Sequence, residues 1–234
     1  QRSSDRPSSD AASNLIAATA IGARAPFAEV VVAMHQAGSD EYVTIHRGTR
    51  VRKCHTSARD AFKTMDPEPL GRLNLRNLEL EVFSEAIQTR DRSRSVKVMA
   101  EFEDKVALLK FHPNFNPAVI DWHREKGYRG VVLEGTGLGH VGKVCYGPLK
   151  KALDADMLVC MTSQCIWGAV DMNVYETGRD LLAMGVIPLG DMISETAYVK
   201  MMWVLGQTSD IAKAREMMLT NMAGEFSSRR LLQS

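Results

Sequence analysis

Between residues 105 and 222, short β-branched runs alternate with helix-length segments. That alternation predicts an α/β protein with parallel sheets and helices on both faces. Two further observations support this class. The apolar runs at 106–111, 130–133 and 157–161 are short and nearly unbroken, as strands buried on both faces are. Gly127 and Gly185 stand where a left-handed residue would stop the intervening helices. The first domain is expected to be incomplete. The chain opens on a polar loop with no initiator Met and no strand before it, and such a loop normally leaves a strand end.

Taken in order, Ser9 or Asp10 caps a helix at 10–23. Residues 29–34 (Glu-Val-Val-Val-Ala-Met) read as a buried strand, and Gly38-Ser39-Asp40 as a turn. Residues 42–54 give two strand-like pieces joined near Gly48, a hairpin made locally basic by Arg47, Arg50, Arg52 and Lys53. A solvated strand face explains those charges more simply than an RNA site. Residues 66–95 lack a steady period and carry turn formers at Asp66-Pro67 and Pro69-Leu70-Gly71. The polar run Thr89-Arg-Asp-Arg-Ser-Arg-Ser is expected to link two units. Beyond it come a strand at 106–111, a helix opened by Asn116-Pro117, a strand at 130–133, a weaker helix at 147–154 and a strand at 157–161. A helix at 174–184, a short fourth strand at 186–189 and helices at 195–205 and 210–222 complete the series.

Composition narrows the function. Of 234 residues, 45% are hydrophobic and 24% charged, as in an ordinary globular protein. A net charge of +1 gives no bulk reason to bind nucleic acid or a membrane. No apolar run reaches the roughly 18 residues that span a bilayer. Cys54, Cys145, Cys160 and Cys165 form no CxxC pair and lack zinc-type spacing to His, so reduced thiols and no metal are expected.

Three constellations could carry chemistry. Glu134-Gly-Thr-Gly-Leu-Gly-His-Val-Gly142 follows a strand, and Gly137, Gly139 and Gly142 satisfy G-x-G-x-x-G. It reads as a nucleotide loop, a small-ligand loop at a sheet's carboxyl edge, or a plain flexible loop. The weak helix behind it, and Ser163-Gln164 where an acid would end the next strand, count against the nucleotide. Thr162, Ser163 and Gln164 reach the same edge and would bind a polar ligand or cap the next turn. Residues 2–10 hold two Arg, two Asp and four Ser, suited either to a zwitterion or to an internal loop network. His123 reads as a packing or surface residue; His140 is better placed but has no partner in sequence. No nucleophile with an evident base can be named.

The segments Gln1-Arg-Ser-Ser-Asp-Arg-Pro-Ser-Ser-Asp, His46-Arg-Gly-Thr-Arg-Val-Arg-Lys, Gly127-Tyr-Arg-Gly, Glu134-Gly-Thr-Gly-Leu-Gly-His, Met161-Thr-Ser-Gln-Cys, Asn173-Val-Tyr and Ala197-Tyr-Val-Lys-Met occur in this order. Together they resemble the asparaginase-like D subunits of archaeal glutamyl-tRNA(Gln) amidotransferases, within the asparaginase/glutaminase family. The resemblance implies a two-domain, L-asparaginase-like α/β fold. Residues 1–92 would be the last part of the N-terminal domain and 93–234 the C-terminal domain. It implies amide hydrolysis by an activated Thr, with ammonia passed to a transamidase partner of the E type that uses ATP and Mg to convert Glu-tRNA(Gln). No cofactor is expected in this chain.

The family's nucleophilic Thr, its Thr-Asp pair and its catalytic Lys are expected upstream of residue 1; Thr136 and Thr162 are not those residues. The resemblance makes Arg2, Ser3, Ser4, Asp5, Glu134, Thr136, Gly137, Gly139, His140, Ser163 and Gln164 the substrate-binding or site-supporting set. His140 falls where bacterial asparaginases often carry a substrate-touching Asn, while the stretch at 141–149 departs from the family pattern. A cytoplasmic homodimer acting on glutamine or asparagine is implied, with tRNA(Gln) reached through the partner and no membrane. The alternatives are a plain L-asparaginase and a non-catalytic assembly module that docks through residues 46–53 or Met201-Met-Trp203. For the latter segment, core packing is the simpler reading.

Overall fold

The computed structural model describes residues 2–66, 68–84 and 87–227. Pro67 of the expected turn, Gln1 of the opening loop and residues 228–234 lie outside the described residues. The chain divides into two compact units, Gln1–Val96 and Lys97–Ser234.

The first unit starts with helix α1 (Ala11–Arg24), followed by strands β1 (Val31–His35), β2 (Tyr42–Arg47), β3 (Val51–Lys53), β4 (Phe62–Thr64), β5 (Gly71–Asn74) and β6 (Leu80–Val82). Its main sheet runs β1-β2-β5-β6 with every neighbour antiparallel. This differs from the parallel arrangement expected throughout. The connections here are too short for crossovers, so consecutive strands return as hairpins. Ala17, Ala20 and Ile21 of α1 pack with Val43, Ile45 and Leu73 of the sheet.

The expected basic hairpin at 42–54 does not form. Both edges of β2 are taken, by β1 and β5, and β3 pairs instead with β4. Arg47 and Arg50 are not solvated either. Arg47 grips Glu29 through Nε and Nη2, and Arg50 is 2% exposed with Nη1 donating to Asp66 O at 2.6 Å. Strands β5 and β6 lie in the stretch that shows no period. The expected linker begins inside the unit, because Thr89 bridges Phe27 and Arg90 N donates to Pro26 O at 3.0 Å. Asp10 stands at the N-cap of α1, but at φ −111° its carboxylate makes no capping bond. It accepts from Arg2 N instead, while Ser9 Oγ accepts the Ala11 N–H at 3.2 Å.

The second unit is the parallel one. It comprises β7 (Val106–Lys110), α2 (Ala118–Glu125), β8 (Gly130–Gly135), a 3-10 turn at Lys143–Cys145, α3 (Tyr146–Asp154), β9 (Leu158–Ser163), α4 (Glu176–Met184), β10 (Ile187–Pro188), α5 (Ser194–Gln207) and α6 (Ile211–Leu219). Strand order is β10-β9-β8-β7, all parallel. Alternate residues serve opposite layers, as a pleated strand requires. Val131, Leu133, Val159 and Met161 face Ile120, Leu149 and Leu181 of α2, α3 and α4. Val132, Leu158, Cys160 and Ile187 face Ala197, Met201, Val204, Ala214 and Met218 of α5 and α6. All six residues of β8 are buried, which is why periodicity could not orient this strand. Asn116 Oδ1 accepts the Ala118 N–H at 3.0 Å, and Gly127 closes α2 at φ +72°. Met201 is core and Trp203 Nε1 donates to Met99 O at 2.9 Å, so this segment is tied inward rather than offered for docking. No described helix is long and apolar enough to cross a membrane.

Candidate functional site

In an open parallel sheet, ligands bind beyond the carboxyl ends of the strands. Here β8 and β9 end side by side, with Glu134 opposite Thr162 and Gly135 opposite Ser163. The chain leaving β8 folds back at once. Thr136 N donates to His140 O at 2.9 Å, and His140 N donates to Thr136 O at 3.0 Å. Such a tight return needs left-handed residues, supplied by Gly137 (φ +49°) and Gly139 (φ +99°). A Cβ on Gly139 would stand 2.7 Å from Val170 Cγ1, so the loop lies flat on the core.

The loop after β9 is fastened to it. Ser163 Oγ donates to Gly137 O at 2.6 Å and accepts the Cys165 N–H at 3.0 Å. Gln164 N donates to Gly135 O at 2.9 Å. Gln164 Nε2 donates to Glu134 O at 2.9 Å and to Phe111 O, joining the ends of β7 and β8. The Glu134 carboxylate is almost enclosed, 3.9 Å from Lys110 Nζ. His140 Nδ1 lies 3.1 Å from Thr177 Oγ1, and its ring stands edge-on to Tyr175 at 5.4 Å. Its Nε2 is buried with no hydrogen-bond partner. Burial, with the Asp180 carboxylate 3.3 Å from the hydroxyl, pushes the Tyr146 phenol up at the base of α4.

Glu134, Thr136, Gly137, Gly139, His140, Ser163 and Gln164 therefore meet at one edge. Ser163 and Gln164 hold loops together there, through contacts that span up to 53 residues of sequence. A phosphate cradle is a poor fit, since the Thr136, Gly139 and His140 amides all donate within the loop. Thr162 Oγ1 is buried between Leu133 O (3.2 Å) and Ser194 Oγ (3.0 Å), a structural hydroxyl rather than an exposed nucleophile. His123 Nδ1 faces Val119 O at 2.7 Å and its ring packs on Tyr128.

In the first unit the side chains of Arg2, Ser3, Ser4 and Asp5 are exposed. The loop behind them is an internal network. Asp10 Oδ1 accepts the Arg2 N–H at 2.7 Å, Ser9 Oγ donates to Arg2 O at 3.2 Å, and Arg6 N donates to Ser3 O at 3.2 Å. Sequence reading missed three residues that bear on this loop: His35, Asp40 and Arg59. They are scattered along the chain and match no motif, so no local signal marks them.

These two α/β units define an asparaginase-like protein. The model "Asparaginase, N-terminal" matches residues 1–88 and the model "Glutaminase/Asparaginase C-terminal domain" matches residues 105–218. Together they cover most of the chain, which belongs to the glutaminase/asparaginase family. Within that family it is similar to the D subunit of the glutamyl-tRNA(Gln) amidotransferase of Methanopyrus kandleri, at 50% identity over 99% of this chain and 51% of the relative. The corresponding D subunit of Pyrococcus furiosus is 51% identical over 97% of this chain and 51% of its own length. Among solved structures, the thermostable L-asparaginase from Thermococcus kodakarensis superposes with a TM-score of 0.80. It is 30% identical, over 96% of this chain and 65% of that one. The chain thus spans about half the length of the curated relatives it matches.

Proposed function

We propose that the chain is part of a glutaminase-type subunit that releases ammonia from glutamine for the ATP-dependent conversion of Glu-tRNA(Gln) to Gln-tRNA(Gln). The observation that carries this reading is identity of about half, over nearly the whole chain, to proteins named as the D subunit of that amidotransferase. In this reading a Thr hydroxyl attacks the side-chain amide, an oxyanion hole steadies the tetrahedral intermediate, ammonia leaves and water frees the acyl-enzyme. The nucleophilic Thr, its Thr-Asp pair and the Lys belong to the part of the relatives that this chain does not span. Residues 1–92 contribute to the N-terminal domain and 93–234 form the C-terminal domain. Arg2, Ser3, Ser4 and Asp5 are the site-supporting residues of the first, and the edge from Glu134 to His140 with Ser163 and Gln164 holds those of the second. His140, whose buried Nε2 has no hydrogen-bond partner, is the member of that edge left with an unmet polar atom.

The protein would act in the cytoplasm as a homodimer with an E-type transamidase subunit, which binds tRNA(Gln) and uses ATP and Mg. Ammonia release from glutamine and asparagine tests the assignment of the catalytic groups. The purified 234-residue chain is expected to show none, and turnover by it alone would place the nucleophile within it. A pull-down with the transamidase subunit tests the partnership, and failure to associate at micromolar concentration would favour the second reading. That reading is a plain L-asparaginase, favoured by the superposition but at only 30% identity.

A further inference from the structure

The segment that leads into β7 is not loose. From Met99 to Glu103 it lies along α5. Trp203 Nε1 donates to Met99 O at 2.9 Å, Gln207 Nε2 donates to Glu101 O at 2.7 Å and Glu103 N donates to Met202 O at 2.9 Å. A Cβ on Gly206 would strike Glu101 O, so only a glycine lets the segment lie this close. Trp203 and Gln207 stand one helical turn apart, about 6 Å of rise. Two residues of extended chain advance roughly 6.6 Å. The match fits an extended chain at 99–101 whose Met99 and Glu101 carbonyls turn to α5. Backbone groups of alternate residues in such a chain point to opposite sides. Those of Val98, Ala100 and Phe102 therefore point away from α5, and none of them is hydrogen-bonded among the described residues. Val98 is 80% exposed and Phe102 50%, and the residues between them are exposed as well. This is an unpaired strand edge.

An edge of this kind takes another extended strand, with main-chain bonds giving affinity and side chains choosing the partner. The side chains here choose their own copy. Lys97-Val98-Met99-Ala100-Glu101 carries opposite charges two residues to either side of Met99. Laid antiparallel on a second copy about Met99, the outward backbone groups of Val98 meet those of Ala100. Lys97 of each copy then stands opposite Glu101 of the other, a favourable cross-strand pair made twice. A shift of two residues either way sets Met99 against Lys97 or against Glu101, so that a charge faces an apolar side chain. We infer that residues 97–102 are a self-complementary docking edge, and that its occupant is a second copy of this chain, paired as an antiparallel strand about Met99. The pairing stands whether or not the function proposed above holds. A ribbon this short buries less than the roughly 1,000 Å² of a stable interface, so half-association is expected on the order of 100 μM.

Sedimentation equilibrium of the purified 234-residue chain at low salt tests this, from about 1 μM to 1 mM. Lys97→Glu sets like charges across the ribbon, and so does Glu101→Lys. Both side chains are exposed, and neither substitution touches the bonds to α5. Each variant alone is expected to associate about tenfold more weakly than the native chain. An equimolar mixture of the two restores both opposite-charge pairs and is expected to associate as tightly as the native chain. A homodimer built on any other surface would leave the charge variants without effect. A native chain that stays monomeric throughout overturns the inference and leaves the edge to a strand of another protein. Native-like association by either variant alone overturns it too, as does a mixture no tighter than its components.

Discussion

Lys200 Nζ and Glu225 Oε1 form an ion pair of 2.9 Å with each side chain only 5% exposed. Lys200 also donates to Thr220 O, and Glu225 Oε2 accepts the Met222 and Ala223 amides at 2.8 and 2.7 Å. The pair therefore straps the segment after α6 onto α5. Burial alone would raise the Glu225 pKa, but the Ala223 amide and the Lys200 ammonium outweigh it and hold the carboxyl below its ordinary 4.5.

Removing one partner of this pair strands the other charge. Glu225→Gln is expected to cost about 3 kcal/mol in urea unfolding. The double variant Lys200→Met, Glu225→Gln is expected to lose less than the sum of the singles. Because the folded pKa is depressed, the stabilisation is complete above pH 4.5 and disappears as pH falls through the lower folded value. A native chain whose stability holds unchanged down to pH 3 would contradict this.

His46 gives a second acid-sensitive step. Burial, followed by the Lys63 charge, lowers its pKa from 6.5 to about 4, while Nδ1 lies 2.8 Å from Thr64 Oγ1. The unfolded chain takes up this proton first, so stability is full above pH 6.5 and falls as the pH drops towards 4. The loss amounts to about 3 kcal/mol. His46→Gln is expected to flatten that slope in urea titrations run across the same range.

Two glycines of one loop separate backbone strain from crowding. Gly139→Ala meets both a positive φ of +99° and Val170 at 2.7 Å, and is expected to cost about 3 kcal/mol. Gly137→Ala, at φ +49° with nothing within 4 Å, is expected to cost about 1 kcal/mol. Equal melting temperatures for the two variants would show that the loop does not press on the core.

Gln164→Ala removes the amide that donates to Phe111 O and Glu134 O. It is expected to cost about 2 kcal/mol. The amides of the loop at 136–140 are expected to exchange faster, while those of Val131 and Val159, within the core, keep native rates. A fall in stability with loop exchange unchanged would mean that Gln164 does not support the edge.

The parallel unit was legible because its three longer strands are compact apolar runs and two of its helices, α2 and α4, stop at glycines of positive φ, Gly127 and Gly185. Such signals act within a few residues and survive without tertiary context. Strands β5 and β6 were not legible. Gly71–Asn74 and Leu80–Val82 carry little apolar pattern and are strands because β2 offers β5 an edge. The charges of Arg47 and Arg50 were misread for the same reason, since Glu29 and Asp66 O become their partners only on folding.

Local chemistry alone marked where the strands and helices of the second unit lie and the glycines of the sheet-edge loop, and ordered motifs marked the family. Folding decided which edges pair, which charges are buried, and that His35, Asp40 and Arg59 converge on one loop. Those outcomes depend on contacts between residues far apart in the chain, and no periodicity or spacing encodes a partner that is distant in sequence.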